Sequence, residues 1–100
     1  SSELKAGPFT FNRDTQILYK NGIKLTLTPK ERQLMVYFIE NAGQVLTKEQ
    51  IYERVWRDNA VDDNTIMVSI RNLRRKIEDD PGAPAYLVTV YGTGYRFVVR

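Results

Sequence analysis

The sequence predicts an α+β domain in which N-terminal antiparallel strands are followed by three helices and a C-terminal β-hairpin. Three observations lead to this class. Asn21-Gly22, a dipeptide that suits a two-residue type I′ turn, lies between two short apolar segments. Residues 28–31 and 47–50 each have the Thr-x-x-Glu/Gln pattern that begins a helix. Residues 61–78 place apolar side chains at helical spacing and lead into a segment with two prolines.

The composition describes one folded domain and limits its chemistry. A chain of 100 residues with 42% hydrophobic content can bury a single core. It contains no cysteine and no histidine, so we expect no metal, no cofactor and no enzymatic activity. Fifteen Lys and Arg residues exceed twelve Asp and Glu residues, a mild excess that favours a polyanionic partner. The longest apolar run, Leu34–Ile39, is too short for a bilayer, and residues 1–6 lack signal-peptide features, so a cytoplasmic location is expected.

The first quarter of the chain predicts three short antiparallel strands. They alternate apolar and polar residues, and the turn residues Asn12–Thr15 and Asn21-Gly22 separate them. Residues 1–6 are expected to be a linker end or an expression remnant, and the folded domain to cover residues 7–100. The three strands are Phe9–Phe11, Ile17–Lys20 and Ile23–Leu27.

Two helices with capping boxes are predicted next. Thr28-Pro-Lys-Glu31 begins the first, which should stop at Ala42-Gly43. Because Leu34–Ile39 are all apolar, this helix is expected at the centre of the core. The second begins after Thr47, with Gln50 reaching back to it, and ends near Trp56.

The third helix is amphipathic, and its polar face is basic. Asp62 and Asp63 lie at its start, where carboxylates can cap free N–H groups. Its apolar stripe comprises Ile66, Ile70, Leu73 and Ile77. The opposite face comprises Asn64, Val68, Arg71, Asn72 and Arg75, flanked by Thr65 and Lys76. Such a helix suits a DNA groove, although on its own it could also be an ordinary amphipathic surface helix.

A Gly-containing hairpin follows this basic helix, which is the layout of a winged helix-turn-helix. Tyr86–Val90 and Tyr95–Val99 are the predicted strands, around a turn in which Gly92 and Gly94 permit positive φ. The preceding acidic residues, Glu78 to Asp80, are interpreted as a solvated cap or turn.

With these elements in order, the sequence resembles the C-terminal effector domain of the OmpR/PhoB family of response regulators from Gly7 to Arg100. The most telling segments are Leu27-Thr-Pro-Lys-Glu31, Val55-Trp56, Val61-Asp-Asp-Asn-Thr65, Ile70-Arg-Asn-Leu-Arg-Arg-Lys-Ile77 and Thr89-Val-Tyr-Gly-Thr-Gly-Tyr-Arg-Phe97.

The resemblance implies sequence-specific binding of double-stranded DNA in the control of transcription. The third helix would enter the major groove, and the wing would meet the adjacent backbone or minor groove. The resemblance further implies an N-terminal receiver domain outside these 100 residues, tandem dimers on direct repeats, and RNA polymerase facing the loop Trp56 to Val61. The alternative is a winged helix that docks protein or RNA without sequence-specific DNA binding.

Candidate roles follow from the helical wheel and from the chemistry of base edges and phosphates. Base contacts are expected from Asn64, Val68, Arg71 and Asn72, with a phosphate as the alternative for Arg71 and plain solvation for Asn72. Phosphate contacts are expected from Thr65, Ser69, Arg75, Lys76, Thr93 and Tyr95, and by resemblance from the Trp56 indole, which is otherwise a core residue. The wing residues are Tyr91, Gly92, Gly94 and Arg96.

Two departures from the family pattern matter for specificity. Tyr91 stands where the family usually has a wing arginine, so that Arg96 or Arg100 would have to approach a phosphate instead. Met67 and Ser69 replace an acidic residue and a histidine that are common in the family. The preferred DNA sequence should therefore differ from those of familiar members.

Overall fold

Two antiparallel sheets flank three helices in the computed structural model, which describes residues 2–57 and 61–99. The first sheet has the order β1-β2-β3-β4, and the second has the order β5-β7-β6. The helices are α1 (Pro29–Glu40), α2 (Lys48–Val55) and α3 (Asp63–Ile77). The strands are β1 (Glu3–Ala6), β2 (Phe9–Asn12), β3 (Ile17–Lys20), β4 (Ile23–Leu25), β5 (Val45–Thr47), β6 (Leu87–Val90) and β7 (Gly94–Phe97). This is the predicted winged helix-turn-helix.

The N-terminal sheet has one strand more than the sequence pattern indicates. Glu3–Ala6 pairs along its whole length with β2, and Ala6 is buried. The prediction that residues 1–6 form a linker end is therefore wrong for Glu3–Ala6, and the sheet has four strands instead of three. The type I′ turn is confirmed, since Asn21 and Gly22 have φ values of 51° and 80° between paired β3 and β4.

The capping boxes of α1 and α2 are both present. Thr28 Oγ1 accepts from the Glu31 N–H, and Thr47 Oγ1 accepts from the Gln50 N–H. The helix α1 is less central than predicted, because it buries one face and leaves Gln33 exposed. Its buried apolar residues are Leu34, Met35, Phe38 and Ile39.

The helix α3 is buried along the predicted stripe. Ile66, Ile70, Leu73 and Ile77 are at most 2% exposed. The opposite face is thereby turned away from the core, since residues on one helix face share one environment.

A short strand between α1 and α2 fixes the wing. The strand β5 pairs with β7, and Gly94 lies between Thr47 and Val90 in the register. Gly92 has the predicted positive φ of 79°, but Gly94 does not. A Cβ at Gly94 would collide with the Leu46 carbonyl oxygen, so glycine is required there by close approach of β5.

One core joins the two sheets. The Phe97 ring of β7 lies 5.6 Å from the Phe9 ring of β2 and 6.5 Å from the Phe38 ring of α1. Tyr86, just before β6, meets Phe9 edge-on at 5.1 Å. The wing is therefore packed against the same core as the N-terminal sheet.

No helix in the described segments is both long and apolar enough to cross a membrane.

Candidate nucleic-acid interface

A groove of about 530 Å³ lies between the exposed face of α3 and the wing. Its lining contains three arginines and, within the described residues, no carboxylate. The groove is therefore a basic cleft, open on the side away from the core. It is lined by Asn64, Met67, Val68, Arg71, Arg74, Arg75, Pro81, Gly82, Thr89, Tyr91 and Tyr95.

Arg71 and Arg75 are the free cations of this groove. Both are exposed, and neither forms a hydrogen bond or ion pair with any described residue. They are four residues apart, so both guanidinium groups project from the same face of α3. An unpaired guanidinium offers its whole donor fork to a phosphate or a guanine edge.

Arg74 has a different role, because it ties α3 to the wing. Its Nε donates to the Leu87 carbonyl oxygen at 2.9 Å, and Nη2 donates to the Thr89 hydroxyl at 2.8 Å. The guanidinium also lies 5.7 Å from the Tyr95 ring centre. The hydrogen-bond partners of Arg74 are thus groups of β6 and not a carboxylate.

Tyr95 has a buried ring and a phenol that faces the groove. Burial raises the pKa of the Tyr95 phenol, Arg74 lowers it by a smaller amount, and Asp63 raises it further. The net pKa is above the ordinary value, so the phenol stays protonated at neutral pH and remains a hydrogen-bond donor. The predicted phosphate-donating role of Tyr95 is chemically possible.

Four of the predicted contact residues of α3 lie on its opposite flank and do not line the groove. They are Thr65, Ser69, Asn72 and Lys76. Lys76 Nζ is 2.6 Å from Glu31 Oε1 of α1, and Glu31 is buried. Burial raises the pKa of Glu31, but hydrogen bonds from Lys76 and from the Thr28 N–H, together with the Lys76 charge, bring it below its usual value. Lys76 can therefore reach a phosphate only by leaving Glu31 or by sharing its ammonium group.

Thr65 takes part in the cap of α3. Its backbone N–H donates to Asp62 Oδ1 at 3.0 Å, and its hydroxyl donates to the same oxygen at 3.1 Å. The backbone bond first, and then the hydroxyl, hold the pKa of Asp62 below its ordinary value. The predicted N-cap is confirmed, and it occupies the hydroxyl proton that Thr65 would donate to a phosphate.

Tyr91 forms the tip of the wing and is 91% exposed. The Thr93 N–H donates to the Val90 carbonyl oxygen at 3.0 Å, which closes the turn over Tyr91 and Gly92. Arg96 lies on the other face of the wing, because it alternates with the buried residues Tyr95 and Phe97 along β7. Arg96 thus points away from the groove, and Arg100 lies outside the described residues.

Trp56 is only 4% exposed and packs as a core residue. Its indole N–H forms no hydrogen bond with any described residue. Lys30 lies 5.9 Å from the ring centre and donates to the Val55 carbonyl oxygen at 2.7 Å. Of the loop Trp56 to Val61, residues 58–60 lie outside the described residues.

Glu78 is not solvated, and the prediction of a solvated cap or turn is wrong for this residue. The side chain is buried, and its two oxygens accept from the N–H groups of Ala85, Tyr86 and Leu87 at 2.7 to 3.2 Å. Glu78 therefore pins the start of β6 to the end of α3. Asp79, beside it, is exposed and pairs with Lys20 at 2.9 Å.

Lys48 belongs to the candidate DNA-binding surface, although its sequence position was not predicted to do so. It lines a recess of about 180 Å³ beside the wing tip, together with Met67 and Tyr91, and lies 3.9 Å from Asp63. Lys48 is the first residue of α2, where the helix dipole disfavours a cation. A lysine at this unfavourable position is the feature of the sequence that could have identified Lys48 as part of the surface.

Among the described residues, no cluster of potential ligands could hold a metal ion.

Comparison with known proteins agrees with this arrangement. Residues 22–97 match the family model described as "Transcriptional regulatory protein, C terminal". The chain is 47% identical over 91 residues to the transcriptional regulatory protein YvrH of Bacillus subtilis, covering 90% of this chain and 38% of YvrH.

Two solved structures have the same fold. The response regulator DrrB of Thermotoga maritima, described as an OmpR/PhoB homolog, matches with a TM-score of 0.88 and 31% identity over 98% of this chain and 45% of DrrB. The DNA binding domain of CpxR from E. coli matches with a TM-score of 0.82 and 29% identity over 99% of this chain and 98% of that domain.

The chain spans less than half the length of YvrH and of DrrB. The family is one of transcriptional regulators and not a class of enzymes. The family match, the fold and the sequence identity together show that this chain belongs to the OmpR/PhoB-type family of C-terminal domains of transcriptional regulatory proteins.

Proposed function

We propose that this chain is the effector domain of a response regulator that binds double-stranded DNA and thereby controls transcription. The observation that carries the proposal is the groove beside α3, in which Arg71 and Arg75 have no internal partner among the described residues and no carboxylate opposes them. A surface of this kind attracts phosphates from either strand. The CpxR match, to a structure described as a DNA binding domain, supports it.

In this proposal α3 enters the major groove and the wing meets the neighbouring backbone or minor groove. Asn64, Val68 and Arg71 are the candidate base contacts on the groove side of α3. Asn72 is a further candidate base contact, on the flank of α3 that does not line the groove. The backbone contacts are assigned to Ser69, Arg75, Thr93, Tyr95 and the Trp56 indole, with smaller roles for Thr65 and Lys76 because both have internal partners.

The assembly is part of the same proposal. A receiver domain would precede this chain, and two effector domains would occupy direct repeats as a tandem dimer. The loop Trp56 to Val61 would face RNA polymerase. A cytoplasmic location is part of the same proposal.

The alternative function is docking to protein or RNA through the same face. It would not require that the groove be free of carboxylates, and it predicts no preference for one duplex sequence. The free guanidinium pair on α3 favours DNA, because Arg71 and Arg75 are spaced along one helix face that can follow a groove.

The test is a selection of bound duplexes from a random pool, followed by titration of a selected duplex and a scrambled one of equal composition. We expect the selected duplex to bind at least about a thousandfold more tightly at physiological salt. Equal affinity for the two duplexes would overturn sequence-specific binding and favour the docking alternative.

A further inference from the structure

Met67 is unusual among the apolar residues of α3. It is 52% exposed, whereas the four residues of the buried stripe are at most 2% exposed. A single exposed apolar side chain needs no explanation by itself. The position of Met67 does need an explanation, because Met67 lies within the candidate DNA-binding surface.

Met67 lies where the two recesses beside the wing meet. It lines the basic groove with Arg71 and also the smaller recess with Lys48, and Tyr91 lines both. Since Met67 comes three residues after Asn64 and four before Arg71, all three project from neighbouring positions on one helix face. Any duplex that contacts Arg71 therefore passes beside the Met67 thioether.

The chemistry of Met67 restricts what it can read. The side chain has no strong donor or acceptor, so it cannot pair with the polar groups of a base edge. It can offer flexible, polarizable apolar contact. In the major groove, the C5-methyl group is the apolar feature that distinguishes thymine from the other bases.

We propose that Met67 reads a C5-methyl group on a pyrimidine of the bound site. This inference rests on the proposed DNA-binding function and deepens it by naming the chemical feature that α3 selects next to the wing. The methyl group has two natural sources, thymine and 5-methylcytosine. Met67 should favour both over the corresponding bases without the methyl group.

The test changes one methyl group at a time. Each thymine of a selected duplex is replaced by uracil, which removes only the C5-methyl group. We expect wild-type affinity to fall about fourfold at one or two positions, because the methyl group is no longer there to be buried. At those positions Met67→Ala should bind thymine and uracil equally, whereas Met67→Leu should retain the preference.

A second arm separates the two sources of the methyl group. Cytosine is placed at the sensitive position, with and without C5 methylation. The methylated duplex should bind the wild-type protein about fourfold more tightly and should bind Met67→Ala no better. Equal wild-type affinity for methylated and unmethylated cytosine would show that the methyl group alone is not read, which overturns the proposal.

Val68→Ala is the matched control, because Val68 also lines the groove and is one residue away. Because Val68 is itself a candidate base contact, Val68→Ala should lower the overall affinity, but it should leave the preference for thymine over uracil at the Met67 position intact. The proposal is overturned if wild type ignores every thymine-to-uracil change, or if the thymine preference survives Met67→Ala; loss of the preference in Val68→Ala would then assign the methyl contact to Val68. Failure to prefer any selected duplex over a scrambled one would instead overturn the proposed function itself.

Discussion

The arginines of α3 divide into two kinds at the scale of single residues. Arg74 donates two hydrogen bonds to β6 and contacts the Tyr95 ring, whereas Arg71 and Arg75 form no hydrogen bond or ion pair with a described residue. Removal of the Arg74 side chain should therefore disturb the angle between α3 and the wing. Removal of Arg71 or Arg75 should leave the fold unchanged and alter only what the surface binds.

Asn72 provides the sharpest prediction at this scale. Its amide has a donor and an acceptor that match the N6 and N7 edge of adenine. Asn72→Ala should cost about 1–3 kcal/mol on the selected site and relax base preference at one position. Arg75→Ala should weaken all duplexes by similar factors. The measurement is a titration of every single-base variant of the site with both proteins.

Asn72 is half-buried on the flank of α3 that faces away from the groove. If Asn72→Ala keeps the wild-type order of preference at every position, the residue is only solvated. Arg71 then becomes the leading candidate for reading a base.

At the scale of elements, contacts made by three charged side chains fix how α3 is held. Lys76 pairs with Glu31 in the capping box of α1, Lys20 donates to the Ile77 carbonyl oxygen at 2.8 Å, and Glu78 binds the start of β6. Each joins the C-terminal end of α3 to a different element. The helix is therefore presented in a fixed orientation before any partner binds.

The Glu31 contact makes stability depend on pH. Because the pKa of Glu31 is lowered by folding, its contribution is present above its unfolded value of about 4.5 and is lost as the pH falls through the folded pKa. Wild type should lose more unfolding free energy between pH 5 and roughly pH 3 than Glu31→Gln does. Denaturant unfolding of both proteins across this range measures the difference, and parallel pH profiles would refute the assignment.

Sequence periodicity predicted the helices because their determinants are local. The stripe from Ile66 to Ile77 and the two capping boxes depend on residues at most eleven positions apart. The strand β1 was missed because its alternation of polar and apolar residues covers only four positions, and because these residues gain their order from pairing with β2. The strand β5 was missed because it has only three residues, and because, among the described strands, it pairs with β7 alone, which lies far along the chain.

The candidate site was predictable in part. The exposed face of α3 follows from the helical wheel, and the groove confirms that Asn64, Val68, Arg71 and Arg75 lie together. The Lys76–Glu31 pair joins residues 45 positions apart, so no local pattern reveals it. No local pattern reveals the hydrogen bonds from Arg74 to β6 either. Nor does it reveal the close approach of the Leu46 carbonyl oxygen that requires glycine at position 94.

At the scale of the whole molecule, the surface of one domain is small, and direct repeats would allow two domains to act together. We predict two half-sites about one helical turn apart, so that both domains meet the same side of the duplex. Inserting about five base pairs rotates one half-site by half a turn and should abolish joint occupancy. Mobility-shift titration distinguishes single from double occupancy, and indifference to the insertion would rule out the tandem arrangement.

The central claim is that the free guanidinium groups of α3 contact DNA, Arg75 at a phosphate and Arg71 at a base edge or a phosphate, and the salt dependence of binding tests it most directly. The logarithm of affinity should fall linearly with the logarithm of salt concentration, and Arg71→Ala/Arg75→Ala should reduce the slope by roughly 0.9 for each phosphate that is no longer neutralised. Lys24→Ala, which removes one positive charge from an exposed position of β4 outside the groove, should leave the slope unchanged. A slope that is unaltered in the double variant, or reduced equally by Lys24→Ala, would contradict the account.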